Sequence, residues 1–176
     1  MNIKEKYLAH RDKITNGSII LFKSDKKIGK IISKADGNVF ATHVGIIFKV
    51  HGRLLLIDST EFGVKPRFLS HGLKRYSDFK IIEPTANMKS RNTALEETFI
   101  QAENKKIRYD YIRGLRWFLK RWIKVDFEFL GSDTNDLCHE WVKRYTNALT
   151  IKEYEKVDSP QDFLRFINPK NCILKF

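Results

Sequence analysis

A thiol, an imidazole and a carboxylate can together cleave an acyl bond, and this 176-residue sequence sets one of each in a suggestive place. Cys138 lies in "TNDLCHEWVKRY", His43 in "ATHVGIIFKV" and Asp58 in "RLLLIDST". Such chemistry needs a thiolate, a base that accepts its proton and a polar group that orients the base. Whether these three residues can meet depends on the elements that carry them.

The segment around Cys138 reads as a helix over about 136–149, with Asp136 or a neighbour as N-cap and the cysteine in the first turn. Unpaired N–H groups and the helix dipole at that end favour a thiolate. At about 100° per residue, Leu137, Cys138, Trp141, Val142, Tyr145, Ala148 and Leu149 form one apolar band, so the cysteine faces inward. An inward cysteine fits a packed core residue as readily as a nucleophile. Asp133, Asp136 and Glu140 oppose ionisation, since nearby negative charge raises a thiol pKa. His139 is not the expected base, because an adjacent helical residue points about 100° away.

The hairpin offers a better partner. "ATHVGIIFKV" and "RLLLIDST" are two β-rich runs joined at His51-Gly52, where glycine supplies a positive φ. A two-residue turn there pairs Val50 with Arg53, Phe48 with Leu55, Gly45 with Asp58 and His43 with Thr60. His43, Gly45, Asp58 and Thr60 then share one face, while Val44, Ile46, Phe48, Leu55 and Ile57 share the other. His43 and Asp58 become diagonal neighbours within hydrogen-bonding reach, and Gly45 leaves them room. A register slip would break the pair and put Glu61 forward instead.

The remaining pattern predicts a loose or helical start, a buried strand at "SIILF" (18–22) and a short basic amphipathic helix within 23–38, ended by Gly37. In that helix Ile28, Ile31, Ile32 and Ala35 fall at helical spacing among five lysines. Further strands are expected at 63–69 and 78–84. Helices follow at 92–106, with Leu95, Phe99 and Ala102 on one face, and at 111–123, with Tyr111, Leu115, Phe118, Leu119 and Trp122. Ser159-Pro160-Gln161-Asp162 has the residues of a last helix start. Strands first and helices after indicate an α+β fold around an antiparallel sheet.

Composition allows one domain with a sizeable core: 42% of residues are hydrophobic, and only 9 are Gly and 4 Pro. Cys138 and Cys172 make neither a disulfide framework nor a zinc site, although one bridge between them stays open. No cofactor or metal is expected. "MNIKEKYLAHRDKIT" contains no apolar run, and no stretch approaches transmembrane length, which predicts a cytoplasmic product, or a virion-associated one if viral. A formal charge of +12 suits anionic partners: nucleic acid, acidic lipid or a cell-wall polymer.

"GSIILF", "ISKADGNVFATHVGI", "LLLIDSTEFGVKPRFL", "IRYDYIRGL", "DLCHEWV" and "SPQDFLRF" occur here in one order. That order resembles the circularly permuted NlpC-type branch of papain-like cysteine hydrolases, the YiiX/YaeF-like proteins, which are related to lecithin:retinol acyltransferase-like enzymes. The resemblance runs from about 17 to 167. It implies a single domain: an N-terminal extension over 1–16, a papain-like core of antiparallel sheet or half-barrel against helices, and a tail over 168–176. It also implies that Cys138, at a helix N-terminus, is the nucleophile and His43 the base. The orienting residue is an acid on the next strand, and the His43 face lies beneath the cysteine helix. The family's usual Glu is Asp58 here, and its "Cys-Ser-Glu" reads "Cys-His-Glu", which keeps Glu61 open as the orienter.

The implied activity is thiol-dependent hydrolysis or acyl transfer on an amide, thioester or ester, with cell-wall peptide and lipid as the leading substrate classes. The other reading is a lapsed scaffold that binds through a basic face. Residues 102–125 hold eight basic and two acidic residues. Arg113, Arg116, Lys120 and Lys124 share one predicted helical face with Trp117 among them, a composition suited to membrane, glycan or nucleic acid.

Overall fold

His51 and Gly52 have φ values of 46° and 73°, the pair of positive angles that a tight hairpin turn needs. In the computed structural model, which describes residues 2–60, 62–105, 120 and 137–166, they join β2 (His43–Val50) to β3 (Arg53–Thr60). Val50 pairs with Arg53, Phe48 with Leu55 and Ile46 with Ile57, as the spacing predicts. β1 (Ile19–Lys23), β4 (Gly63–Phe68) and β5 (Asp78–Ile82) complete an open five-stranded antiparallel sheet of order β4-β3-β2-β1-β5.

The helices are α1 (Ile3–His10), α2 (Lys27–Ala35), α3 (Leu69–Leu73), α4 (Met88–Lys105), α5 (Cys138–Ala148) and α6 (Asp162–Arg165). Helices cover both faces of the sheet, which explains why its strands read as unbroken apolar runs. On one face Ile19, Leu21, Val44, Ile46 and Ile57 pack with Ala94 and Leu95 of α4, Trp141, Val142 and Tyr145 of α5, and Phe163 of α6. On the other, Ile20, Phe22, Ile47, Leu54, Leu56 and Phe79 pack with Tyr7 and Ile14 near the N-terminus and with Leu69 and Leu73 of α3.

Two contacts set the ends of α5. Leu137 is its N-cap, and the Glu140 carboxylate turns back to accept the Leu137 N–H at 2.7 Å. Near the other end, the Tyr145 hydroxyl donates to the Gly17 carbonyl at 2.9 Å, just before β1. Gly17 has φ +74°, and a Cβ there would lie 2.2 Å from that hydroxyl, so only glycine fits.

Some elements differ from the sequence reading. Leu69 opens α3 instead of ending a strand, because it fills the core beside Leu56. The last helix begins at Asp162 with Gln161 as N-cap, later than Ser159 suggests. There the Asp162 carboxylate is the acceptor, taking the Asp158 N–H at 3.0 Å and the Ser159 hydroxyl at 3.1 Å. Of the two options for the N-terminal residues, the helical one holds: an Asn2–Glu5 capping box starts α1, and Lys6 bonds Asp78 at 2.5 Å and the Phe79 carbonyl at 2.8 Å. The expected helix over 111–123, with Trp122, lies outside the described residues apart from Lys120, as does the tail.

Candidate active site

His43 is the first residue of β2, and its position is set by the end of β1. Thr42 donates its N–H to the Phe22 carbonyl at 2.9 Å and accepts the Ser24 N–H at 3.1 Å. The preceding Ala41 N–H reaches the Gln161 side chain at 2.9 Å, tying this corner to the start of α6. Phe22, Tyr76 and His43 then stack. Their ring centroids are 4.2 Å apart for Phe22–Tyr76 and 5.7 Å for Tyr76–His43.

His43 Nε2 lies 2.7 Å from Asp58 Oδ2, the diagonal that the hairpin predicts. Asp58 is fully buried, and its Oδ2 also accepts from Arg67 Nη2 at 2.5 Å. With Nε2–H donating to the carboxylate, Nδ1 is the nitrogen left to meet the thiol. Gly45 makes the approach possible: a Cβ there would fall 2.7 Å from Leu56 Cδ1 and 3.0 Å from Asp58 Cβ. Gly45→Ala is expected to destabilise the fold by about 1–3 kcal/mol through overpacking and to displace Asp58. A urea titration checks the first effect, and the pH profile of Cys138 alkylation checks the second.

Cys138 is the first residue of α5, buried, with a free thiol. His43 and His139 both lie close enough to act on its charge. Burial alone pushes its thiol pKa up. The charge of His43 and hydrogen bonds from His139 and His43 outweigh that and bring it to about 6. For His43, burial disfavours the cation, but Tyr76, the Cys138 charge and the Asp58 hydrogen bond raise its pKa well above the usual histidine value. A thiolate beside an imidazolium is the state these shifts favour at neutral pH.

The route by which Cys138 reaches His43 differs from the expected one. α5 packs on the Val44, Ile46 and Ile57 face, whereas His43 and Asp58 belong to the opposite face with Phe22 and Leu56. The cysteine helix therefore does not lie over the His43 face. Thiol and imidazole meet because each is the first residue of its element. His139 is also not turned away from the thiol. It is buried and close enough to stabilise the thiolate, since side chains in a first turn lean back toward the helix start. Glu140, expected to oppose ionisation, is directed at the Leu137 N–H instead. Ala148 is exposed and Thr146 buried, so the apolar band ends differently from its wheel position.

Arg67 and Tyr76 were not singled out by the sequence. A signal for Arg67 existed: Thr60 pairs with Gly63 and Asp58 with Lys65, so Arg67 is the diagonal neighbour of Asp58 by the same counting that found His43. Tyr76 stands in the turn before β5, where no periodicity marks it. Glu61, Asp133, Asp136, Cys172, Trp117 and the basic positions Arg113, Arg116 and Lys124 lie outside the described residues, while Lys120 is exposed. Among the described residues, no helix is long and apolar enough to cross a membrane.

No family model matches the chain, and no curated protein does. Among solved structures, the chain is similar to the metalloprotein yiiX of Escherichia coli O157:H7, a DUF1105 protein. The match has a TM-score of 0.55 at 17% identity and covers 86% of this chain and 79% of the other. A likeness at that identity is one of fold: an α+β arrangement with an antiparallel sheet packed against helices.

Proposed function

We propose that this chain is a permuted NlpC-type, papain-like thiol hydrolase or acyltransferase, with Cys138 as nucleophile, His43 as base and Asp58 as orienter. The observation that carries the proposal is the line Asp58–His43–Cys138, a 2.7 Å carboxylate–imidazole bond ending on a thiol whose pKa lies near 6. A structural thiol has no need of an ionising partner.

The steps follow from the geometry. The Cys138 thiolate attacks an acyl carbonyl, and the His43 imidazolium gives its proton to the departing amine, alcohol or thiol. The acyl group remains on Cys138 as a thioester. Water or an acceptor then loses a proton to His43 and attacks the thioester, which returns the thiolate. Asp58 holds the imidazole in one tautomer throughout, and Arg67 holds Asp58. Leu137 carries no side-chain acceptor, which suits the first-turn N–H groups of α5 to an acyl oxyanion.

Peptide and lipid acyl groups are the substrate classes proposed. Mass spectrometry of Cys138 after exposure to peptide, thioester and phospholipid panels is expected to show a trapped acyl adduct. Cys138→Ala is expected to lose all turnover, and activity persisting in that variant would refute the proposal. The yiiX neighbour is described as a metalloprotein, but among the described residues no group of three His, Cys, Asp or Glu side chains could hold a metal ion. The described residues offer no metal centre, and no step is routed through one.

A binding-only scaffold is the competing reading, favoured by the +12 charge. It predicts salt-dependent binding to nucleic acid or membrane with no thiol reactivity at neutral pH.

A further inference from the structure

Helix α2 carries a feature that the thiol chemistry does not use. Ile28 is 73% exposed and Ile31 47%, large apolar side chains left in water on a well-anchored helix. The anchor lies on another side. Gly29 is buried so tightly that a Cβ would fall 2.5 Å from Ser24 Cβ, and the Ser33 hydroxyl donates to the Val39 carbonyl at 2.7 Å. At about 100° per residue, Gly29 and Ser33 define the inward side, and Ile31, Ala35 and Ile28 form an outward stripe. Lys27, Lys30 and Lys34 make an exposed row along one flank, and exposed Lys26 stands at the N-cap.

The fold places this stripe at the reactive end of the sheet. α2 joins the end of β1 to the start of β2, so it sits at the end where His43 begins its strand. The β3–β4 turn is at the same end and presents Phe62, which is 66% exposed.

We propose that α2 is a docking surface for an anionic lipid bilayer, with Ile28 and Ile31 entering the acyl boundary and Lys26, Lys27, Lys30 and Lys34 meeting lipid phosphates. The charge is of one sign along the whole helix, and the isoleucines rise beside it. A nucleic acid would meet the lysines and leave the isoleucines wet. A bilayer covers both, because long lysine side chains can reach headgroups while their neighbours insert. Phe62 provides a second apolar contact, and the Cys138–His43 end of the molecule then faces the membrane. The surface deepens the lipid arm of the proposed function without depending on the thiol.

The test is co-sedimentation of the full chain with phosphatidylcholine vesicles and with vesicles carrying phosphatidylserine. Binding to the anionic vesicles is expected, and Cys138→Ala should bind equally, so failed catalysis and failed docking are separable. Ile28→Ser/Ile31→Ser leaves the charge unchanged and is expected to weaken binding by about tenfold or more. Lys27→Glu/Lys30→Glu/Lys34→Glu should abolish it. The five α2 positions in the variants are all exposed, and circular dichroism checks that each variant is folded. Undiminished binding by the serine variant would overturn the proposal, leaving only the general attraction of a +12 chain. It is equally overturned if wild type ignores anionic vesicles, or if the serine substitutions act only by splitting a dimer in sedimentation velocity.

Discussion

In His43→Gln, the pH of half-maximal Cys138 alkylation is expected to rise from about 6 toward the ordinary thiol range. The sign follows from charge. An imidazolium beside the thiol stabilises the thiolate, and a neutral amide does not. The rise should be incomplete, because His139 also lowers the thiol pKa. Acyl turnover should fall further, by roughly a hundred- to ten-thousandfold, since the same substitution removes the proton donor for the leaving group. In wild type, activity should increase as pH passes about 6 and decline only when His43 loses its proton, well above the usual histidine range. These limbs belong to the pair and not to either residue alone. Iodoacetamide alkylation followed by mass spectrometry at several pH values measures the first effect. An unchanged midpoint in His43→Gln would assign the thiol to His139 instead.

Asp58→Ala should cost both stability and activity. Asp58 is fully buried and joins His43 to the partly buried Arg67. Its loss leaves a guanidinium inside without its counter-charge, which costs about 3 kcal/mol when a buried pair is broken. A urea midpoint shift of that size is the expected reading. Activity should fall with it, because His43 loses the acceptor that fixes its Nε2–H. Arg67→Met separates the two roles. Removing that cation favours the imidazolium, so the alkaline limb of the activity profile should move upward while the acid limb stays near 6.

The hairpin was readable because its turn and its alternation agree: glycine at 52 fixes the register, and the register fixes the His43–Asp58 diagonal. Arg67 was readable by the same counting one strand further on. What the sequence did not disclose was the face on which α5 packs. An apolar helix band specifies burial, not which side of a doubly covered sheet receives it, and here both sides are apolar. The role of His139 was missed for a related reason. A wheel angle describes Cα directions, whereas an imidazole in a first turn can lean back across its neighbour. The capping of α6 was misread because Ser159 and Asp162 can each serve as acceptor, and only their packing selects the carboxylate.

The Tyr145–Gly17 bond and the burial of Trp141 fasten the cysteine helix to a sheet whose five described strands precede it in the chain. His43 and Asp58 can assemble early from one local hairpin. Cys138 arrives after the sheet is built. A ribosome-bound chain that ends before α5 therefore carries the His43–Asp58 pair with no thiol beside it, and a Cys138 not yet docked keeps the sluggish chemistry of an ordinary thiol. Reactivity is licensed by completion of the fold, and at pH 7 the rate at which Cys138 takes an alkylating label becomes a clock for maturation.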